Sequence, residues 1–271
     1  MEHVGSYEQL KTFLLALALT QARIMAMFVA IPIFNRAILP GMLRTAIGVA
    51  FGIVVAPSLM PQVAQMNWDA AQLVMLLVKE GFVGFVLGCL IAVPFWAFEG
   101  IGFLIDNQRG ASIAATLNPL TGNDSSPMGI LFNQAFIVFF FISGAFLLML
   151  ELLFNSFALW NVFTWFPHFK PESMPLLIGQ IMGLVKLALL LASPAIVAMF
   201  LSEVGLALVS RFVPNLQVFF MAMPIKSALA VLVLMVYMAT LIEYATDLLA
   251  PMRELVPTLD EHWRTPPGAT R

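Results

Sequence analysis

The sequence predicts an all-α, polytopic integral membrane protein, and three observations carry that prediction. Of its 271 residues, 61% are hydrophobic and only 10% are charged, a balance far from that of soluble domains. Mean hydropathy is +0.95. The apolar residues are also gathered into about six runs long enough to cross a bilayer, which takes about 20 helical residues. These are Phe13–Phe34, Leu43–Met60, Ala70–Phe98, Ile130–Leu153, Leu176–Leu201 and Val218–Leu249.

Each run carries a reason to be helical and a reason not to be straight. Pro32, Pro57, Pro94, Pro194 and Pro224 punctuate the runs; each removes a backbone donor and obstructs the preceding turn, so kinked or interrupted helices are expected. In hydrocarbon such breaks survive only where neighbouring helices or water satisfy the freed carbonyls. The pairs Gly48/Gly52, Gly84/Gly88 and Gly179/Gly183 have the four-residue spacing that lets helix backbones approach closely. The linkers 35–41, 61–69 and 167–175 are short and bear proline, so nothing marks a separate soluble domain. Residues 1–250 therefore read as a single helical membrane-embedded domain and 251–271 as a polar, frayed C-terminal tail. Met1–Glu8 carries acid rather than lysine, and no removed signal peptide is expected. With six spans, Lys11, Lys170, Arg253, Arg264 and Arg271 fall on one side against Arg36, Arg44, Arg109 and Arg211 on the other. Charge bias assigns no orientation.

Several function classes are disfavoured by what the chain lacks. The single Cys89 sits in an apolar run, and His3, His168 and His262 have no ligand spacing, so neither a disulfide framework nor a metal site is expected. A net charge of −2 without a basic cluster argues against nucleic acid. No nucleophile elbow, zincin motif, Walker loop or dinucleotide fingerprint occurs, so neither catalysis nor a cofactor is expected. The 24 Phe and 17 Met suit lipid contact and packing, or a deformable constriction lined by thioethers.

The charges inside apolar runs are the informative residues: Arg23, Lys79, Glu80, Glu151, Lys186, Glu203, Lys226 and Glu243. A charge at the bilayer centre costs roughly 2.5–3.5 kcal/mol even on a permissive scale. Three readings stand: ion relays of a transporter, interhelical or intersubunit pairs, and snorkelling near helix ends. Snorkelling suits Glu243 best, and Glu151 and Lys186 least. Lys79 and Glu80, adjacent on a helix, do not face one another; each is expected to find compensation elsewhere.

Residues 105–129 (IDNQRGASIAATLNPLTGNDSSPMG) form a polar, Gly- and Pro-bearing stretch between two apolar runs. Asp106 and Arg109 can pair locally, Gly110 and Gly122 permit turns, Asn118-Pro119 opens a turn and Ser126-Pro127 stops a helix before Ile130. Its centre, Ala111–Leu117, is small and weakly apolar. Two readings remain, a surface loop and a segment folded back into a protein-lined cavity.

The same residues carry a resemblance. Asp106 through Gly110 (DNQRG), Asn118-Pro119, Gly122 and Ser126 through Gly129 (SPMG) closely resemble the signature of the SctT family of type III secretion export-apparatus proteins, related to flagellar FliR. Glu203–Arg211 (EVGLALVSR), Pro214–Phe220 (PNLQVFF) and Met223–Lys226 (MPIK) look like that family's second recognisable stretch, and Arg23, Pro32–Phe34, Leu39-Pro40 and Arg44 like its front. The DNQRG form looks more like the injectisome branch than the flagellar one.

The resemblance implies an SctR-like part fused to an SctS-like hairpin within a helical export-gate assembly at the bacterial inner membrane. The subunit would be multi-pass and would form, with SctR-like and SctS-like subunits, a pore for unfolded polypeptides, with SctU and SctV associated. Export would draw on the proton-motive force and a separate ATPase. Loop 105–129 would be a plug comprising Asp106, Asn107, Gln108, Arg109, Gly110, Ala111, Ser112, Ile113, Ala114, Ala115, Thr116, Asn118, Pro119 and Gly122, with Asp106 and Arg109 as anchors and Ala111–Thr116 as the moving part. Arg23, Glu151, Lys186, Glu203, Arg211 and Lys226 would be assembly or interhelical polar contacts. The alternative class, a secondary transporter of small solutes or ions, also uses broken helices and intramembrane carboxylates. No matching repeat is evident between the two halves of the chain.

Overall fold

The computed structural model of the protein describes residues 2–35, 38–66, 69–110, 126–164, 174–212 and 218–263. Among the described residues the elements are seven α-helices and one 3-10 turn, with no strand. The helices are α1 (Glu2–Ala30), α2 (Gly41–Gln65), α3 (Ala70–Arg109), α4 (Pro127–Ile142), α5 (Ala145–Leu159), α6 (Met174–Ser210) and α7 (Val218–Trp263), with the turn Pro32–Phe34 after α1. Five helices are long and apolar enough to cross a membrane, and a sixth crossing is available where α4 and α5 count as one broken span. The expected all-α polytopic membrane architecture is what the chain adopts.

Three expectations are corrected in detail. The run Ile130–Leu153 is two helices, because Gly144 adopts φ +78° immediately after α4, a left-handed conformation that ends helices and that glycine takes without steric cost. The polar stretch is not loop from its first residue: residues 105–109 complete α3, since nothing between Ile105 and Arg109 breaks a helix and Gly110, at φ +86°, does. The expected frayed tail from Pro251 is helical through Trp263, since Met252, Arg253, Glu254, Leu255, Leu259 and Glu261 all favour helix.

Nor do the internal prolines end their helices. Pro57 and Pro61 lie inside α2, Pro94 inside α3 and Pro194 inside α6. At Pro194 the repair is visible. The missing N–H would have bonded the carbonyl of Leu190, and the hydroxyl of the neighbouring Ser193 donates to that oxygen at 2.7 Å instead.

The chain divides into two compact units: Met1–Ala92, Ala145–Leu177 and Met252–Arg271 in the first, Val93–Gly144 and Ile178–Pro251 in the second. In the first, α1 packs along α2, and Gln21 Nε2 donates to the Gly48 carbonyl at 2.9 Å. Side chains at Gly48 or Gly52 would overlap Met25 and Gln21. Its core gathers Ala16, Leu19, Ala56, Leu59, Val63, Leu76 and Val162. Phe28 stacks on Phe34 with ring centroids 3.7 Å apart and meets Phe51 edge-on. The first part of α3 crosses α1 at Gly84 and Gly88, where a Cβ would run into the backbone of Arg23 and Met27.

In the second unit, residues 93–109 of α3 and α4 form an antiparallel hairpin. Phe95 meets Phe136 and Phe140 at 4.9 and 5.0 Å, Phe98 stacks on Phe136 at 4.6 Å, and Gly102 abuts the backbone of Met128 and Gly129. The aromatic pairs form an edge-to-face and stacked ladder, and the absent side chain at Gly102 lets the two helices touch. Gly179 and Gly183, by contrast, have open space around the position of a Cβ, so that pair makes no close approach within the described chain.

The contrast between the glycine pairs is testable. Gly84→Val should destabilise the detergent-solubilised chain by about 1–3 kcal/mol, the usual cost of overpacking, whereas Gly183→Val should stay within about 0.5 kcal/mol. Thermal unfolding followed by tryptophan fluorescence reads both.

Candidate functional site

Two polar clusters stand inside the apolar framework, one in each unit. In the first, Arg23 of α1 is fully buried and every part of its guanidinium is engaged. Nε donates to Glu80 Oε2 at 2.6 Å, one terminal nitrogen to the Ser156 carbonyl at 2.6 Å and hydroxyl at 3.1 Å, and the other to the Trp160 carbonyl at 2.9 Å. The Phe157 ring lies 4.2 Å from its central carbon, within cation–π range. Lys79 joins the cluster, with Nζ 2.8 Å from Glu80 Oε1 and donating to the carbonyls of Asn161, Val162 and Thr164 at 3.2, 2.6 and 3.0 Å. Two cations thus share one carboxylate, and five backbone carbonyls at and beyond the C-terminus of α5 supply the remaining negative potential.

This arrangement corrects the expectation that Lys79 and Glu80 find compensation apart. Their Cβ atoms diverge on the helix, yet the four-carbon stem of Lys79 is long enough to swing back to the carboxylate, which lies between the two cations.

In the second unit, Asp106 is 3% exposed and ties together both ends of the segment that leaves α3 and returns at α4. Its Oδ2 accepts from the Ser126 hydroxyl at 2.6 Å and from the Met128 backbone N–H at 2.9 Å, while Oδ1 sits 2.7 Å from Arg109 Nε. Ser126 is the N-cap of α4, accepting from the Gly129 N–H at 2.9 Å, and Pro127 occupies the first helical turn, the placement where a missing N–H costs nothing. The carboxylate therefore meets two donors of the helix start, where the macrodipole favours negative charge. Sequence reading took Ser126-Pro127 as a stop signal; the same two residues start α4.

The other expected site residues fall into three groups. Asn107 is exposed, and the Gln108 carbonyl accepts from Lys226 Nζ at 3.3 Å. Lys226 also pairs with Glu203 at 2.6 Å, joining α7 to α6. Glu151, Lys186 and Arg211 are exposed, and none forms an ion pair with another described residue. Ala111, Ser112, Ile113, Ala114, Ala115, Thr116, Asn118, Pro119 and Gly122 lie outside the described residues.

The structure adds contacts that sequence reasoning missed. Glu99 of α3 accepts from Asn133 of α4 at 3.2 Å on the exposed side of the hairpin, two turns from Asp106. The carbonyls that receive Arg23 and Lys79 carried no sequence signal, whereas a serine followed by proline is a pattern that could also have been read as a helix start. Among the described residues no group of three His, Cys, Asp or Glu side chains is placed to hold a metal ion.

The fold and these clusters define a multi-pass helical membrane protein whose apolar helices are stapled by buried ion pairs and helix caps. Residues 14–252 match the family described as bacterial export proteins, family 1, and the chain belongs to that family; it is a membrane subunit of a bacterial export apparatus. It is 39% identical over 253 residues to Yop proteins translocation protein T of Yersinia pestis, covering 92% of this chain and 97% of that protein. It is 32% identical over 231 residues to surface presentation of antigens protein SpaR of Salmonella typhimurium, covering 85% and 86%. Flagellar biosynthetic protein FliR of Bacillus subtilis is 31% identical over 228 residues, covering 83% and 87%.

Both clusters predict measurable losses. Glu80→Ala strands Arg23 and Lys79 and should cost about 3–5 kcal/mol, the penalty for breaking a buried pair, read as a lowered thermal midpoint in detergent. Asp106→Ala removes the tie at the start of α4 and should cost about 1–2 kcal/mol. Hydrogen exchange should then accelerate at Met128 while the amides of α1 keep their protection.

Proposed function

We propose that this chain is a subunit of a type III secretion export gate in the bacterial inner membrane. With SctR-like and SctS-like subunits it forms the entry pore for unfolded polypeptides, and SctU and SctV associate with it. The observation that carries this reading is similarity across nearly the whole chain to a protein named for translocation of Yop proteins. The relative named SsaT, a secretion system apparatus protein of Salmonella typhimurium, is 30% identical over 240 residues and adds to it.

The mechanism is gating without catalysis. Segment 105–129 acts as a plug that closes the resting pore to ions and small solutes. Asp106 supports this role physically, because a single buried carboxylate holds the outgoing end of the segment through Arg109 and the returning end through Ser126 and Met128. The base stays fixed while the small residues Ala111–Thr116 are free to be displaced by an arriving polypeptide, driven by the proton-motive force with help from a separate ATPase. Glu151, Lys186 and Arg211, exposed and without an ion-pair partner among the described residues, serve as contacts to neighbouring subunits, since a bare charge facing hydrocarbon is costly.

Two experiments decide the proposal. Expressed with the membrane proteins encoded beside it and weighed by native mass spectrometry, the chain should appear in one large complex with several copies of two small helical partners; a monomer indifferent to them would refute the assembly. Deleting Ala111–Thr116 should leave that complex intact and make it conduct ions at rest. Unchanged resting conductance in the assembled deletion would remove the plug assignment.

A further inference from the structure

Glu99 stands exposed on α3 between two exposed rings, Trp96 one turn before it and Phe103 one turn after it, which are 38% and 47% accessible. Spacings of three and four residues put all three on one face of the helix. On α4 the exposed Ile130 lies one turn before Asn133. Asn133 reaches across to α3, its Nδ2 donating to Glu99 Oε2 at 3.2 Å. Its carbonyl Oδ1 is buried and has no hydrogen-bond partner among the described residues. Turning the amide over would set that oxygen against the carboxylate, so the charge on Glu99 dictates the orientation and leaves an acceptor unmet. The carboxylate itself receives this one donor, although an ionised carboxylate has about four lone-pair sites. It forms no ion pair with another described residue, and the cations Arg109 and Lys226 of the same unit are already committed to Asp106 and Glu203. Glu99 is therefore a charge that the hairpin holds in place, inside an apolar surface, without neutralising it.

We infer that the face of α3 bearing Trp96, Glu99 and Phe103 is a docking surface for a helix of another membrane subunit, which presents an arginine or lysine to Glu99. The inference rests on the assembly reading above. Charge complementarity selects the occupant. A carboxylate ion only accepts, so what completes it must donate, and a cation both donates and cancels the charge that an apolar surface disfavours. The two flanking rings add to this choice, because guanidinium and ammonium groups are attracted to the faces of Trp and Phe. The layout is also that of a protein contact, in which apolar and aromatic groups surround a polar centre and exclude water from it. Repetition of the exposed positions at 96, 99 and 103 makes the strip run along the helix, a shape that a second helix laid beside α3 covers. Asn133 is the positioning residue of this contact: it fixes the carboxylate before the partner arrives, which reduces the ordering that docking requires.

The test uses the complex that this chain forms with the membrane proteins encoded beside it. With p-benzoylphenylalanine in place of Phe103, illumination should join the chain to another subunit, and peptide mass spectrometry should place the adduct on a helix within about two turns of an arginine or lysine. Glu99→Lys should lower the amount of complex recovered, read by native mass spectrometry, about 10-fold or more, since like charges then face each other across the contact. The same chain purified alone should keep its thermal midpoint, because an exposed side chain adds little to folding. Glu99→Gln, which still accepts but carries no charge, should lower recovery roughly 3-fold, and it is the deciding variant if Glu99→Lys unfolds the isolated chain. Replacing the crosslinked partner cation by glutamate should restore assembly of Glu99→Lys, a rescue that a purely internal role of Glu99 does not allow. An adduct only with lipid, only with a second copy of this chain, or with a helix that has no cation nearby overturns the inference. So does full recovery of the deciding variant. In each of these cases the unsubstituted complex still forms and the assembly reading stands. If the unsubstituted chain is a monomer indifferent to those partners, it is the assembly reading that fails, and the inference falls with it.

Discussion

A guanidinium with no access to water must be surrounded by acceptors, and the first unit is organised around meeting that demand for Arg23. The residue sits on α1, yet its partners come from α3 and from the end of α5, so three helices are committed to one position. Dropping any acceptor would leave a buried charge short of compensation, which costs far more than the pair returns in net stability. The tight crossing of α1 and α3 follows from this. Gly84 lies against the Arg23 backbone itself, and a side chain there would push apart the two helices whose charged groups meet four residues away at Glu80.

The second unit solves a related problem with the opposite charge. A helix start presents free N–H groups, and Asp106 satisfies the Met128 N–H while holding the Ser126 hydroxyl, and Ser126 in turn accepts from Gly129. Gly102 and Gly129 bring α3 and α4 close enough for this reach, and the phenylalanine ladder fills the hairpin on the far side of that contact. An acidic residue is better suited here than an amide, because one carboxylate can meet the helix dipole and an arginine together. The open end of this hairpin is thus fixed by groups that lie within about three turns of it.

The spans were legible because they follow from composition: a run of apolar residues long enough to cross a bilayer has few alternatives to a helix. The family was legible because three separated motifs occur in order. The partners of the charges were not, since Arg23 meets Ser156 across 133 residues and no local pattern encodes which carbonyl will receive a donor. Lys79 and Glu80 were misread for a subtler reason. Neighbour rules on helices describe where side chains leave the backbone, not where a long stem ends when a third charge draws it. Ser126-Pro127 was ambiguous by nature, as the pair interrupts one helix and begins the next equally well. Among the described residues none forms an ion pair with Glu151, Lys186 or Arg211, and for that reason one sequence alone could name them but not pair them.

The cluster at Arg23 also sets an order of events during synthesis. Its carboxylate partner follows 57 residues later and its carbonyl partners 133 and 137 residues later. At roughly 5–20 residues per second, the interval from Arg23 to Ser156 lasts on the order of 7–27 s. Throughout that time α1 carries a cation that the bilayer disfavours and that no part of the nascent chain can fully satisfy. The N-terminal helices must therefore remain near water, lipid headgroups or the insertion machinery until α5 has emerged. Biogenesis of this subunit is thus governed by its latest-made acceptor, and a truncated chain ending before residue 156 would carry its own signal for degradation.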